Sequence, residues 1–508
     1  MRKDPKIGVI LQKEPLTMEW TRQQRYQSYD HYTAQQLLEL QRQAATDPAQ
    51  VRYHLHPSSG LLNDPNGFSY FNGQWHLFYQ SFPFGATHGI KSWMHTVSED
   101  LVHWRDLGLA VAPDTKFDSH GAYSGSAKAL GDRLFLMYTG NHRDADWNRI
   151  PYQVGAWMDK DGQVTKLDHE LFVNPPHFTE HFRDPQLLVK DGHYYALLGA
   201  QRTADKTGVA DLWESDQLES GWHEVGEVDL GQSDLGYMVE CPNYVDVDGR
   251  AVMIFCPQGL DHQTAPYQNI YPNMYLTGQD FDLTVPRLVN PDETLTNLDE
   301  GFDVYATQAF NAPDGTAYAV SWVGLPDTTY PTDDHNWANV MSQVKELHYR
   351  DGHLYQTPVE AMADLRHTHH ATIFTGQPTV IKEDAGQQFE LQVTIEPNQT
   401  GTLTLAGDQS LEHGVFLNFD TTAGQLVIDR AKAGQPVAED HGTTRTLTVP
   451  EHRELKLDIF VDHSLIEIFV NDGYKVATLR YFADQAHGQV AFTNPTKATG
   501  TLWPIKPY

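Results

Sequence analysis

The sequence predicts an all-β protein: a five-bladed β-propeller followed by a C-terminal β-sandwich, with a short N-terminal helical extension. Three observations predict it. First, five stretches share one shape, a β-like run, a Gly turn and an aromatic-rich run: YFNGQWHLFYQ, ALGDRLFLMYTG, VKDGHYYALLGA, VDVDGRAVMIFCP and NAPDGTAYAVSWVG. Their glycines, Gly73, Gly131, Gly192, Gly249 and Gly315, recur roughly every 60 residues, a spacing that suits a repeated unit of several strands. Asn-Gly and Asp-Gly favour the positive φ of a tight hairpin. A set of unrelated hairpins is the plainer alternative. Second, from Thr372 onward apolar residues alternate with polar ones in FELQVTIE, TLTLAG, QLVIDR, LKLDIFVD and LIEIFVNDG, as in a sandwich. Third, the stretch from Met18 to Ala45 has helical spacing and helix formers. The expected organisation is an extension over 1–48, the propeller over 49–356, a linker helix over 357–371 and the sandwich over 372–508.

The chain has 508 residues, enough for two or three domains. Asp plus Glu number 67 against 36 Lys plus Arg, a net charge of −31. Such a surface repels phosphate backbones and anionic lipid, which argues against nucleic acid and membranes as partners. Phosphorylated small molecules stay open, because one basic pocket suffices. Cys241 and Cys256 are the two cysteines, too few for a disulfide framework or a zinc cluster. The basic N-terminus holds only the apolar run IGVIL, short for a secretory leader, and no run approaches roughly 18 apolar residues. A cytoplasmic protein is expected. Nothing in the sequence specifies an oligomeric state.

The stretch LLNDPNGFSYFNGQWHLFYQ raises the functional question. Taken alone, NDPNG is a surface turn with a solvated carboxylate. Phase changes that reading. Asp64, Asp184 and Glu240 each lie eight or nine residues before a repeat glycine. In a propeller the innermost strands converge, so groups at equal phase meet at one end of the channel. Tyr123 and Ser124 hold that phase in the second unit, and Asp303 and Tyr305 lie close to it in the fifth. Converging carboxylates suit a divalent cation or glycoside hydrolysis. No Asp-x-Asp-x-Asp loop occurs, and Asn63, Gln80, Trp93 and Tyr123 flank the acids as a sugar site needs. Hydrolysis of a small sugar, with no metal and no cofactor, is the favoured reading.

The motifs NDPNG (63–67), YSGSA (123–127), YTG (138–140), FRDP (182–185), ECP (240–242), DEGFDVYATQ (299–308) and LIEIFVNDG (465–473) follow one another in order. Over roughly residues 50–508 the chain resembles glycoside hydrolase family 32, the β-fructofuranosidases, and within it the bacterial sucrose-6-phosphate hydrolases. The resemblance implies a retaining enzyme that works through a covalent fructosyl-enzyme. Asp64 is then the nucleophile, ionised at neutral pH like any ordinary Asp. Glu240 is the general acid and later the base, with a pKa raised by the neighbouring acids. Asp184 grips sugar hydroxyls and stabilises the transition state. Leu62, Asn63, Gln80, Trp93, Tyr123, Ser124, Arg183 and Tyr305 line the fructose pocket. The retaining route places the Asp64 and Glu240 carboxyls about 5–5.5 Å apart.

The chain departs from the family pattern around the leaving group. Leu61-Leu62 stands where Trp-Met is common, Gln80-Ser81-Phe82-Pro83 for QYNP, Trp93-Met94-His95 for WGH, and Val344-Lys345-Glu346-Leu347 for a PREL-like run. His88, Lys91 and Lys345 are the candidate cations for a phosphate on the glucose half. The alternatives are an exo-β-fructosidase preferring fructo-oligosaccharides, an inverting arabinan-type hydrolase, and a carbohydrate-binding protein without catalysis.

Overall fold

The computed structural model describes residues 20–368 and 371–506. Met18 and the run IGVIL lie outside them. The repeat glycines sit in tight hairpins at positive φ: 79° at Gly73, 64° at Gly131, 84° at Gly192, 79° at Gly249 and 93° at Gly315. Asn72, Asp191 and Asp248, just before three of them, are left-handed too, the pattern of a hairpin turn matched to strand twist. These turns end strands β1 (Gly60–Phe71), β2 (Ala122–Leu130), β3 (Phe178–Lys190) and β4 (Met238–Val247). The fifth follows β5 (Val304–Asn311). Each of these strands leads into an antiparallel hairpin and a sheet of four or five strands. β1 packs beside β2, β2 beside β3, β3 beside β4, β4 beside β5, and β5 returns beside β1. The five sheets therefore close a ring. Trp337–Ala338, from far downstream, pairs in parallel with the start of β1. Neighbouring sheets cover both faces, so Leu134, Phe135, Leu136, Met137 and Tyr138 are buried in succession, without alternation.

Beyond the ring, two six-stranded antiparallel sheets face each other. Phe389, Leu391, Val393 and Ile395 point inward from one, and Leu403, Leu405, Leu417 and Phe419 from the other. That is the period-two pattern of a sandwich core. The segment read as a linker helix holds a 3₁₀ turn, Glu360–Leu365, with Met362 and Leu365 buried.

The leading segment is not one helix. It forms a short turn of helix, Arg22–Arg25, a 3₁₀ turn, Tyr29–His31, and a helix, Ala34–Ala45. Thr21 and Thr33 each cap a helix start through a capping box, which breaks the register. Tertiary packing decides the rest. Tyr32 stacks on Phe84 at 3.7 Å, Tyr29 meets Phe84 edge-on at 4.8 Å, and the Tyr29 hydroxyl donates to the Ile90 carbonyl at 3.0 Å. The segment thus drapes over the rim of the first sheet. Among the described residues, no helix is long and apolar enough to cross a membrane.

The ring and the sandwich meet through buried ions. His54 bonds Asp462 through Nδ1 and Glu467 through Nε2, both at 2.9 Å. Lys345 is buried against Glu467 at 3.2 Å. It is therefore an interface residue and not part of a leaving-group pocket. Asp303 also faces the sandwich instead of the channel: it pairs with Arg430 at 2.6 Å and accepts the Arg480 backbone N–H at 2.7 Å.

Candidate active site

Backbone irregularities build the site. β1 pairs Leu62 with Ser81 and resumes at Pro65 with Tyr79, which leaves Asn63 and Asp64 outside the ladder. At the same place β2 skips Tyr123 and Ser124, β3 skips Asp184 and Pro185, β4 skips Cys241 and Pro242, and β5 skips Ala306 and Thr307. A bulge ends pairing and re-aims side chains. Proline suits these positions because it has no N–H to give the ladder. Asp184 (φ 65°), Cys241 (φ 49°) and Ala306 (φ 48°) take left-handed backbone without being glycine. Such residues cost about 1–3 kcal/mol each and persist where the surroundings hold them, as five converging ladders do here. This is why an Asp sits between Asn63 and Pro65.

The re-aimed groups meet. Donor atoms of Asp64, Asp184 and Cys241 lie within 4.8 Å of one another. The Cys241 thiol is 3.6 Å from a carboxylate oxygen of each acid, and its backbone N–H donates to Asp184 at 3.0 Å. Asn63 donates to Asp64 at 3.0 Å and to Gln80 at 3.1 Å; Ser124 donates to Asp64 and accepts from Gln80. Glu240 is gripped from two sides. Arg183 donates at 2.6 Å to one oxygen and the Tyr305 hydroxyl at 2.6 Å to the other. The Thr139 hydroxyl accepts the Asp184 backbone N–H at 3.1 Å.

Charge crowding shapes the acids. Burial raises Asp64 above the usual carboxylate range; the Ser124 hydrogen bond opposes this and the Glu240 charge adds to it. Burial pushes Asp184 up to about 7, against the pull of Arg183 and with help from Glu240 and Asp64. Asp64 is thus not the ordinary carboxylate expected from sequence. Burial and both acids push the Cys241 thiol far up, so its sulfur keeps its proton.

Not every expected residue reaches the pocket. Trp93 is fully buried, packed on Phe78 and Tyr138, and its indole N–H holds the Tyr123 carbonyl at 2.8 Å. Leu62 is equally buried, its carbonyl taking the Asn339 amide at 2.9 Å. Both shape the site from behind: Leu62 because alternate residues of an inner strand face the packed side, Trp93 because it stands on the third strand of the first sheet, Ser92–Ser98. Lys91 is buried behind Asn63, to which it donates at 2.7 Å; burial pulls its pKa to about 7 while Asp64 opposes. His88 is exposed, its ring 6.1 Å from that of Trp322. Sequence reading missed Cys241, Thr139 and Asn339. The signal for Cys241 was present, since Cys241-Pro242 repeats the place of Asp184-Pro185.

The chain is similar to known proteins over nearly its whole length. Residues 54–358 match the model for the N-terminal domain of glycosyl hydrolases family 32, and residues 360–504 match that for the C-terminal domain. The chain is 48% identical over 488 residues to a sucrose-6-phosphate hydrolase of Pediococcus pentosaceus, covering 96% of each. The solved sucrose-6-phosphate hydrolase of Lactobacillus gasseri is 55% identical, with a TM-score of 0.94 over 96% of this chain and 100% of that one. A β-fructofuranosidase of Bombyx mori, 25% identical, superposes with a TM-score of 0.80 over 94% of this chain and 99% of its own. Both halves and nearly the whole length are matched, so the chain belongs to glycoside hydrolase family 32.

Proposed function

We infer that this chain is a retaining β-fructofuranosidase that hydrolyses the terminal fructosyl bond of sucrose or sucrose 6-phosphate. The observation that carries the reading is the convergence of Asp64 and Asp184 beside Glu240, whose charge acts on both. Asp64 attacks the anomeric carbon of fructose. The bond to the leaving oxygen breaks as Glu240 gives that oxygen a proton. Water then attacks the fructosyl-enzyme, Glu240 takes the water's proton, and Asp64 departs as carboxylate. Donors from Asn63 and Ser124 support the Asp64 anion against burial. Arg183 and Tyr305 position Glu240. Asp184 sits where sugar hydroxyls and developing positive charge need an anion.

The ring of sheets is read as a five-bladed propeller over 49–356 that carries the chemistry. The sandwich over 372–508 buttresses it through the buried contact at His54 and Lys345. A cytoplasmic enzyme is part of the same proposal, in keeping with sparse cysteine and an acidic chain. NMR of the product as it first forms tests the route. The β-fructofuranose anomer is expected before mutarotation. An initially inverted product removes Asp64 from the nucleophile's role.

A further inference from the structure

The leading segment and the second sheet bring together cations that the reaction at the acids does not use. Arg25 and Tyr26 come from the leading segment. The Tyr26 ring meets Trp147 edge-on at 5.2 Å and lies 6.1 Å from His120. Arg143 donates to the Trp147 carbonyl at 3.1 Å, and its backbone N–H donates to His120 Nδ1 at 3.1 Å. The Arg149 guanidinium stands 5.5 Å from the centre of the Tyr123 ring. Tyr123, Arg143, Arg149 and Arg25 all act electrostatically on the Tyr26 hydroxyl, so the five share one neighbourhood.

Two features of this cluster point to an anion. The Nε atoms of Arg25, Arg143 and Arg149 are all buried without a hydrogen-bond partner. Buried donors are rarely left so, and each such group calls for an explanation. Nor does any of the three form an ion pair with a carboxylate among the described residues, whereas Arg183, Arg202, Arg366 and Arg430 do. The nearby Asp144 is turned to its own loop, accepting from Asn148 at 3.0 Å. In a chain of net charge −31, three neighbouring arginines without acidic partners keep their charge for an anion brought from elsewhere.

The cluster adjoins the acids. Tyr123 precedes Ser124, which touches Asp64. Arg149 also acts on His181, which lies 3.1 Å from Arg183, the residue that holds the general acid. Guanidinium groups match phosphate oxygens in charge and fork geometry. We propose that Arg25, Arg143 and Arg149 form a phosphate subsite for the 6-phosphate of the leaving glucose, with the leading segment as one wall. This rests on the fructosidase reading above, and it assigns the role that sequence gave to His88, Lys91 and Lys345.

The test compares kcat/KM for sucrose 6-phosphate and for sucrose in the full-length protein and in Arg143→Gln, Arg149→Gln and Arg25→Gln. The wild type is expected to prefer sucrose 6-phosphate. Each variant is expected to lower the ratio of the two kcat/KM values by about tenfold to hundredfold, the loss lying in KM for the phosphorylated sugar. Variants that slow both sugars equally and leave the ratio unchanged overturn the subsite. Product inhibition of the wild type gives a reading that does not depend on the variants folding. Glucose 6-phosphate is expected to inhibit at least tenfold more tightly than glucose, and equal inhibition overturns the subsite. A wild type that cleaves both sugars equally well removes the subsite and leaves the fructosidase intact. One that cleaves neither removes both.

Discussion

Asp462 and Glu467, where the ring meets the sandwich, are buried like Asp64 and Asp184 in the site, yet their acidities move in opposite directions. Asp462 accepts backbone N–H groups from Arg52, Tyr53 and His54 and a ring N–H from His54. Glu467 meets His54, Gln343 and Lys345. Burial works against both charges, but cations and donors hold both below the usual carboxylate range. Asp64 and Asp184 are raised by burial, which their donors and Arg183 do not offset and to which the neighbouring acid charges add. Burial by itself therefore does not set a carboxylate's state; the partners do. The interface spends its oxygens on the protein. The site leaves its anions under-compensated, which under the proposed function leaves them for a sugar's hydroxyls and a developing cation.

The largest test of this contrast is Asp64→Ala. It is expected to lower kcat by about 10⁴-fold or more while leaving the thermal midpoint unchanged or raised, since a crowded acid is removed. A rate within tenfold of wild type ends the contrast. Glu467→Gln is expected to do the reverse: about 3–5 kcal/mol of stability lost on urea unfolding, because Lys345 is left as a buried charge without its carboxylate, with kcat of the folded enzyme kept. Unfolding midpoints that coincide with wild type would show that the interface ions do not hold the two parts together.

Tyr305→Phe is a smaller change. It deletes one donor to Glu240 and should lower kcat/KM by about tenfold to hundredfold, with no change in stability. An unaltered rate means the phenol is a bystander. The smallest effect is the shape of the stability–pH curve. Asp184, raised from 3.8 to about 7, contributes stability that is full below pH 3.8 and lost as pH rises through 7. His54, raised from 6.5 to about 9, contributes stability that is full below 6.5 and lost through 9. The contribution of Asp462 and Glu467 is present above 3.8 and 4.5 and lost as pH falls below those values. Asp184→Asn should flatten the decline between pH 4 and 7 and spare the one toward 9. Urea titrations across pH 3 to 9 separate the two, and a curve indifferent to this substitution contradicts the raised acid.

Hairpin glycines, alternating sandwich strands and the phase of Asp64, Asp184 and Glu240 were legible because each depends on a few adjacent residues. The bulges were legible too, in retrospect, from the prolines at 65, 185 and 242. What local pattern misjudged was direction. Leu62 sits beside Asn63 in sequence, but strand alternation turns it to the packed side, and Trp93 stands across from Gln80 on the third strand of its sheet. Asp303 lies two residues from Tyr305 and faces another domain. The run from Met18 to Ala45 has helical spacing, yet inside the described residues Phe84 and Ile90 bind its tyrosines and break it.

By itself, then, the amino-acid order determined the repeating β units, the sandwich that follows and the acids available for chemistry. Turn geometry and side-chain alternation are short-range properties, and they are written locally. Only the tertiary structure decided which partners the charged groups meet. Lys345 met Glu467, Lys91 met Asn63, and Arg25 came to stand beside Arg143 and Arg149. Electrostatic pairing acts through space between residues remote in the chain, so no local pattern carries it.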